Sequence, residues 1–256
     1  MSPTMAHLNL PEITPSLVLF AAACALLGYV IFGATGFGSA IVSVPLLAHV
    51  LPVAACVPMI CVLDSFAATS TSWRYRRVVA WSDCRKLVPA MLIGIALGAT
   101  LLVRLPSAPA LLALGMFVTL YGTYTLSGAP RPARMPGWLV WPIGVVGGVF
   151  SALFGSGGPI YIVYLSARIR EKTALRATAS SVVALSVWLR VALFLIAGAL
   201  LDVRLLALIV ALVPVMLIGL WFGHRVHGRL STAGVLRLIA ALLVVNGLTL
   251  LARVLL

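Results

Sequence analysis

The sequence predicts an all-α, polytopic transmembrane bundle of two inverted repeats, each carrying a Gly-broken half-helix or re-entrant hairpin. Three observations carry this. Of 256 residues, 62% are hydrophobic and only 9% charged, and mean hydropathy is +1.17. A soluble domain carries about 25% charged residues, so the chain belongs in a membrane. Two Gly-rich breaks interrupt apolar stretches about 120 residues apart, Gly33-Ala-Thr-Gly36-Phe-Gly38-Ser39 and Phe154-Gly-Ser-Gly-Gly-Pro159. Non-helical backbone at membrane depth leaves N–H and C=O groups that hydrocarbon cannot satisfy, so it occurs where protein packs around it or where it lines a polar cavity. The third observation is an internal repeat.

Taken in order, apolar stretches fit for spanning lie at about 17–33, 54–73, 87–103, 108–126, 138–153, 174–200, 205–223 and 233–252. Shorter pieces, 39–51 and 159–167, follow the two breaks and fall below the roughly 20 residues of a full crossing. The N-terminus lacks a basic region and carries Glu12 ahead of the first span, so that span is expected to remain in the mature protein.

Pro89-Ala-Met-Leu-Ile-Gly-Ile-Ala-Leu-Gly98 aligns with Pro214-Val-Met-Leu-Ile-Gly-Leu-Trp-Phe-Gly223, identical at six of ten positions. In the same register Arg104-Leu105 matches Arg229-Leu230, and Gly122 matches Gly247. At a slightly different offset Gly36 corresponds to Gly155 and Gly38 to Gly157. The halves are 1–129 and 137–256. Between them the polar, turn-forming stretch Ser127–Pro136 supplies a cytoplasmic linker at 130–136.

Positive charge sets the orientation. If each broken region passes twice, the loops 74–86, 130–134, 168–176 and 224–231 share one side. They hold Arg74, Arg76, Arg77, Arg85, Lys86, Arg131, Arg134, Arg168, Arg170, Lys172, Arg176, Arg225 and Arg229, thirteen charges, against Arg104, Arg204 and Arg253 opposite. A single kinked crossing in each half would split the same charges nine to seven, which is no bias. The halves are therefore expected to be inverted, with both termini outside the cytoplasm. The net charge of +13 then reports orientation and contact with anionic lipid headgroups, not nucleic acid.

Two half-helices beginning at Gly38/Ser39 and Gly158/Pro159 would present free N–H donors and about half a positive charge each, a setting for an anion. Thr35, Gly36, Phe37, Gly38, Ser39, Gly155, Ser156, Gly157 and Gly158 are the candidate substrate-binding residues, with Ser43 a further hydroxyl donor. The alternative is that these glycines only permit close helix packing. Inside the spans, Asp64 and Arg190 are costly unless partnered. Arg190 is a candidate anion contact and Asp64 a candidate proton carrier. Structurally, they could instead neutralise each other, or Arg190 could snorkel to an interface. The run Thr69-Ser70-Thr71-Ser72 either lines the path or hydrogen-bonds to its own helix.

Other chemistries find little support. Cys24, Cys56, Cys61 and Cys84 form no Cys-x-x-Cys and read as small apolar residues, and His224/His227 beside Arg225 and Arg229 read as interfacial charge. No cofactor or metal is expected. Ser156 between glycines lacks a base within reach, no carboxylate dyad is evident, and no Gly-x-x-x-x-Gly-Lys motif is present, so neither catalysis nor ATP-driven pumping is expected.

At the breaks the sequence resembles the TauE/SafE family of sulfite-exporter-like permeases. The likeness rests on Gly33-Ala-Thr-Gly36-Phe-Gly38, Val44-Pro-Leu-Leu47, Leu153-Phe-Gly-Ser-Gly-Gly-Pro159 and the Pro-to-Gly stretches 89–98 and 214–223, and spans about 17–252. Where the family's first motif often continues with glycine, this chain has Ser39-Ala40. The resemblance implies an inner-membrane permease for sulfite, an organosulfonate or another small organic acid. A secondary transporter driven by an ion gradient, protons first, is the leading expectation. A passive anion channel and a non-transporting membrane assembly protein are the alternatives, and a homo-oligomer is compatible with either.

Overall fold

Local signals decide where the chain stops being helical. The computed structural model describes residues 11–104, 107–127, 135–198, 200–226 and 232–255. Residues 1–10, linker positions 128–134, Leu105, His227, Arg229 and Leu230 lie outside the described residues. Helix α1, Pro15–Thr35, starts with Thr14 accepting the Leu17 N–H and Pro15 in the first turn, where a missing donor costs nothing. It ends on Gly36 at φ 85°, the left-handed region open to glycine. The short α2, Ser39–Leu47, follows, then α3, Val53–Arg74, α4, Trp81–Arg104, and α5, Ser107–Leu126.

The second half repeats this order. Helix α6, Val140–Phe154, stops on Gly155 at φ 71°. The short α7 is Gly157–Ser166, so it begins one residue earlier than expected and Pro159 is its third residue, still within the donor-free first turn. Helix α8, Lys172–Ile196, is capped by the Glu171 carboxylate, which accepts the N–H groups of Thr173 and Ala174. Helices α9, Val203–Val226, and α10, Thr232–Leu255, complete the bundle. Among the described residues, seven of the long helices, α1, α3–α6, α8 and α9, are long and apolar enough to cross a membrane. No strand occurs among the described residues. Leu19, Leu120, Ile196 and Val210 are more than two-thirds exposed, as lipid-facing side chains are.

The pairing of helices is reciprocal. Helix α1 packs on α9 and α4 on α6, while α3 packs on α8 and α5 on α10. Glycines make the close approaches. On α4, a Cβ at Gly94 would lie 2.1 Å from the Val145 carbonyl oxygen, and Gly98 abuts Val149 and Ala152. On α9, a Cβ at Gly223 would lie 2.2 Å from the Val30 carbonyl oxygen, and Gly219 abuts Leu26 and Tyr29. The two Pro-to-Gly stretches therefore make the same kind of small-residue contact. Gly33 is helical and packs on Gly223, so it belongs to this seam and not to the break itself.

These contacts also give direction. Numbering rises together along α1/α9 and along α4/α6, so each pair is parallel. In α5/α10, Gly115 meets Leu251 whereas Gly122 meets Ala240, so this pair is antiparallel. Long helices joined by short turns run oppositely, which makes α1 and α3 parallel with α2 returning between them. The same holds for α6, α7 and α8. Arg74, Arg76, Arg77, Arg85, Lys86, Arg168, Arg170, Lys172 and Arg225 consequently gather at one end of the bundle, with Arg204 and Arg253 at the other.

Arg176 departs from the loop position expected of it. It is 3% exposed in the second turn of α8, donates to the Gly33 carbonyl and stacks 5.1 Å over Tyr75. Gly94→Val should destabilise the protein by about 1–3 kcal/mol through overpacking of the α4–α6 seam. Gly137→Ala, where a Cβ would meet nothing within 4 Å, should leave the melting temperature in detergent unchanged.

Candidate functional site

The two helix breaks meet. A Cβ at Gly155 would lie 2.7 Å from the Ala40 Cβ, and one at Gly158 would lie 3.0 Å from the Phe37 Cβ. Between them is a small, narrow cavity. The first break contributes Phe37, Gly38 and Ser39, and the second contributes Gly155, Ser156, Gly158 and Pro159. Asp64 of α3, Ser151 of α6, Tyr161 of α7, and Ser186 and Arg190 of α8 complete its polar wall.

Each broken helix leaves carbonyls behind and presents N–H groups ahead. Three of these carbonyls accept hydrogen bonds from α8. Arg176 donates to the Gly33 carbonyl and Ser180 to that of Gly36 at 3.0 Å, both at the end of α1. Arg190 Nη1 donates to the Ser151 carbonyl at 2.6 Å, at the end of α6. Positive charge at a helix C-terminus is also favoured by the helix dipole. Ahead of the breaks, neither α2 nor α7 receives a side-chain cap on its first-turn N–H groups.

Asp64 and Arg190 are each 2% exposed. They line the same cavity without forming an ion pair, since the ion pair found among the described residues joins Arg168 to Asp83 at 2.7 Å. Asp64 Oδ1 accepts from the Tyr29 hydroxyl at 2.9 Å and from Ser39 Oγ at 2.6 Å. The expectation that the two charges neutralise each other directly is not met, and Arg190 does not snorkel, because its guanidinium is anchored at the end of α6. Its Nε has no hydrogen-bond partner.

Among the expected site residues, Phe37, Gly38, Ser39, Gly155, Ser156, Gly158, Arg190 and Asp64 line the cavity. Thr35, Gly36 and Gly157 do not. Thr35 Oγ1 donates within its own turn, to Ile31 and Phe37 carbonyls at 2.9 and 2.6 Å, and borders a neighbouring apolar cavity with Tyr121 and Leu243. Gly36 is clasped by Arg176 and Ser180, and Gly157 packs against Gly147 and Ser151 of α6. Ser43 donates to the Cys24 carbonyl at 3.0 Å, away from the cavity. In the hydroxyl run of α3, Ser70 bonds back to Ala67, whereas Thr69 and Ser72 meet Trp188 and Ser181 of α8.

Three polar cavity-lining residues, Ser151, Tyr161 and Ser186, are not singled out by the sequence, nor is Tyr29, which donates to Asp64 without lining the cavity. For Ser186 a signal existed, since it stands four residues before Arg190 and so shares its helical face. Gly155→Ala combines a left-handed residue, costing about 1–2 kcal/mol, with a clash against Ala40. It should lower the melting temperature and deform the cavity wall beside Arg190, and a scan of the purified variant beside the wild type checks this.

Comparison with known proteins agrees with this architecture. The sequence profile of the family described as "Sulfite exporter TauE/SafE" matches residues 20–250. The "Probable inner membrane transporter protein TsaS" of Comamonas testosteroni is 28% identical over 175 residues, covering 68% of this chain and 73% of that protein. No solved structure is significantly similar to the chain. With a profile match across almost its whole length, an all-helical bundle and seven helices able to span a bilayer, the chain is a multi-pass membrane protein of the TauE/SafE sulfite exporter family, a family of membrane transporters.

Proposed function

We propose that this protein is a secondary transporter of the inner membrane for a small anion, sulfite or an organosulfonate or organic acid, coupled to a proton gradient. The observation that carries the reading is the convergence of two uncapped helix N-termini and the Arg190 guanidinium on one buried cavity. Backbone N–H groups and a cation in low dielectric are suited to replace an anion's hydration, each charge-assisted bond contributing about 1.5–3 kcal/mol. The binding residues are Phe37, Gly38, Ser39, Gly155, Ser156, Gly158 and Arg190, with Thr35, Gly36 and Gly157 shaping the breaks from behind.

Asp64 is the proton carrier. Its carboxyl shares the cavity with the anion, and a proton on it removes the repulsion between the two. Two inverted repeats, 1–129 and 137–256, supply the rocking halves, with the 130–136 linker cytoplasmic. The antiparallel α5/α10 pair and the gathering of arginines at one end support this topology.

The test is uptake into proteoliposomes of sulfite, sulfate, sulfoacetate and acetate, with and without an imposed pH gradient. Saturable, gradient-driven accumulation is expected. Arg190→Ala should reduce it more than tenfold, and Asp64→Asn should leave uptake that only equilibrates. Wild-type uptake that never exceeds equilibrium would make the protein a channel, and absence of flux would end the anion reading.

A further inference from the structure

The two halves contribute unlike walls to the cavity. On the first-half wall, Asp64 Oδ1 accepts from the Ser39 hydroxyl and from that of Tyr29, which does not itself line the cavity. On the second-half wall, Tyr161 is 1% exposed and its hydroxyl makes no hydrogen bond of acceptable geometry. That hydroxyl lies beside Ser151 and Ser186, which are already bonded to each other at 2.7 Å. Tyr164 and Thr71 also carry buried hydroxyls without a partner, but among the described residues only that of Tyr161 belongs to a cavity-lining side chain. Arg190, on the same wall, has its Nε–H equally without an acceptor.

The ring is held in place by its neighbour. A Cβ at Gly147 would lie 2.3 Å from Tyr161 Cε1, so the missing side chain at 147 forms the notch that seats the phenol. A phenylalanine would fill this notch with the same ring and bury no polar atom. Burying a hydroxyl and leaving it without a partner is unfavourable, and each such group in a native structure calls for a reason. Here two donors, one neutral and directional and one cationic, stand unpartnered on one wall of one cavity.

We propose that Tyr161 is a substrate-binding and specificity-determining residue, its hydroxyl and the Arg190 Nε–H donating to separate acceptor atoms of one bound anion. The inference rests on the anion-site reading above and adds a residue to it. Between the two helix N-termini, the anion then leans toward the α7 and α8 side of the cavity. The phenol discriminates by the number and direction of acceptor atoms, where a guanidinium alone discriminates by charge. A chloride ion is a single acceptor centre and cannot engage the two donors through separate atoms.

The test compares the reconstituted full chain with Tyr161→Phe, which keeps the ring in the Gly147 notch and removes only the oxygen. Sulfite uptake is measured as KM and Vmax, with chloride as competitor. Loss of one hydrogen bond to a charged group corresponds to about a ten- to hundredfold rise in KM. Vmax within about twofold, and a change in chloride inhibition much smaller than the rise in sulfite KM, are expected alongside. Gly147→Ala, which pushes the ring from its notch, should raise KM in the same direction and serves if Tyr161→Phe fails to fold. A saturable wild type with KM unaltered in the folded variant overturns the role of Tyr161 and leaves the anion site standing. A wild type that takes up none of sulfite, sulfate, sulfoacetate or acetate overturns both.

Discussion

A backbone that stops being helical inside a low-dielectric bundle must have its freed polar groups satisfied, and the rest of this structure follows from how that is done. Glycines at Gly36 and Gly155 stop α1 and α6 in the left-handed conformation. Arg176, Ser180 and Arg190, all on α8, take the carbonyls left behind. One helix thus serves both breaks. The N–H groups ahead of the breaks receive no side-chain cap, and residues at both helix starts line the cavity that holds Asp64 and Arg190. Structural and functional readings of Arg190 are therefore compatible: Nη1 holds the end of α6, and Nε is left for something else.

Glycine has a second use here, distinct from the first. Gly94 and Gly98 on α4, and Gly219 and Gly223 on α9, let backbones touch along two parallel helix seams that cross between the halves. These seams hold α1 and α6, the helices that carry the breaks, against the opposite half. Packing glycine and break glycine stand close together in sequence, and Gly33 belongs to the former although it adjoins the latter.

Much of this was legible in the sequence. Composition alone required a membrane bundle, and the Gly-rich breaks and their short following helices appear where the patterns put them. The duplicated Pro-to-Gly stretch was visible, but its use as a packing seam was not, because a matched motif carries no information about its partner. Arg176 was misjudged as a loop charge, since a basic residue one turn inside a helix looks the same as one just outside. Thr35 and Ser43 were expected at the site as hydroxyl donors. Thr35 is held by local acceptors at Ile31 and Phe37, and Ser43 by the Cys24 carbonyl of the neighbouring α1. Ser151 and Tyr161 reach the cavity, and Tyr29 reaches Asp64, through tertiary packing that no periodicity reveals.

The account stands or falls on an anion lying between the N-termini of α2 and α7 beside Arg190. The most direct measurement is a structure of the purified protein with selenite, the heavier congener of sulfite, located by its anomalous scattering. The account predicts a selenium peak bounded by Ser39, Gly158, Tyr161 and Arg190. A peak at another place, or none at a selenite concentration that saturates competition with sulfite uptake, would contradict it.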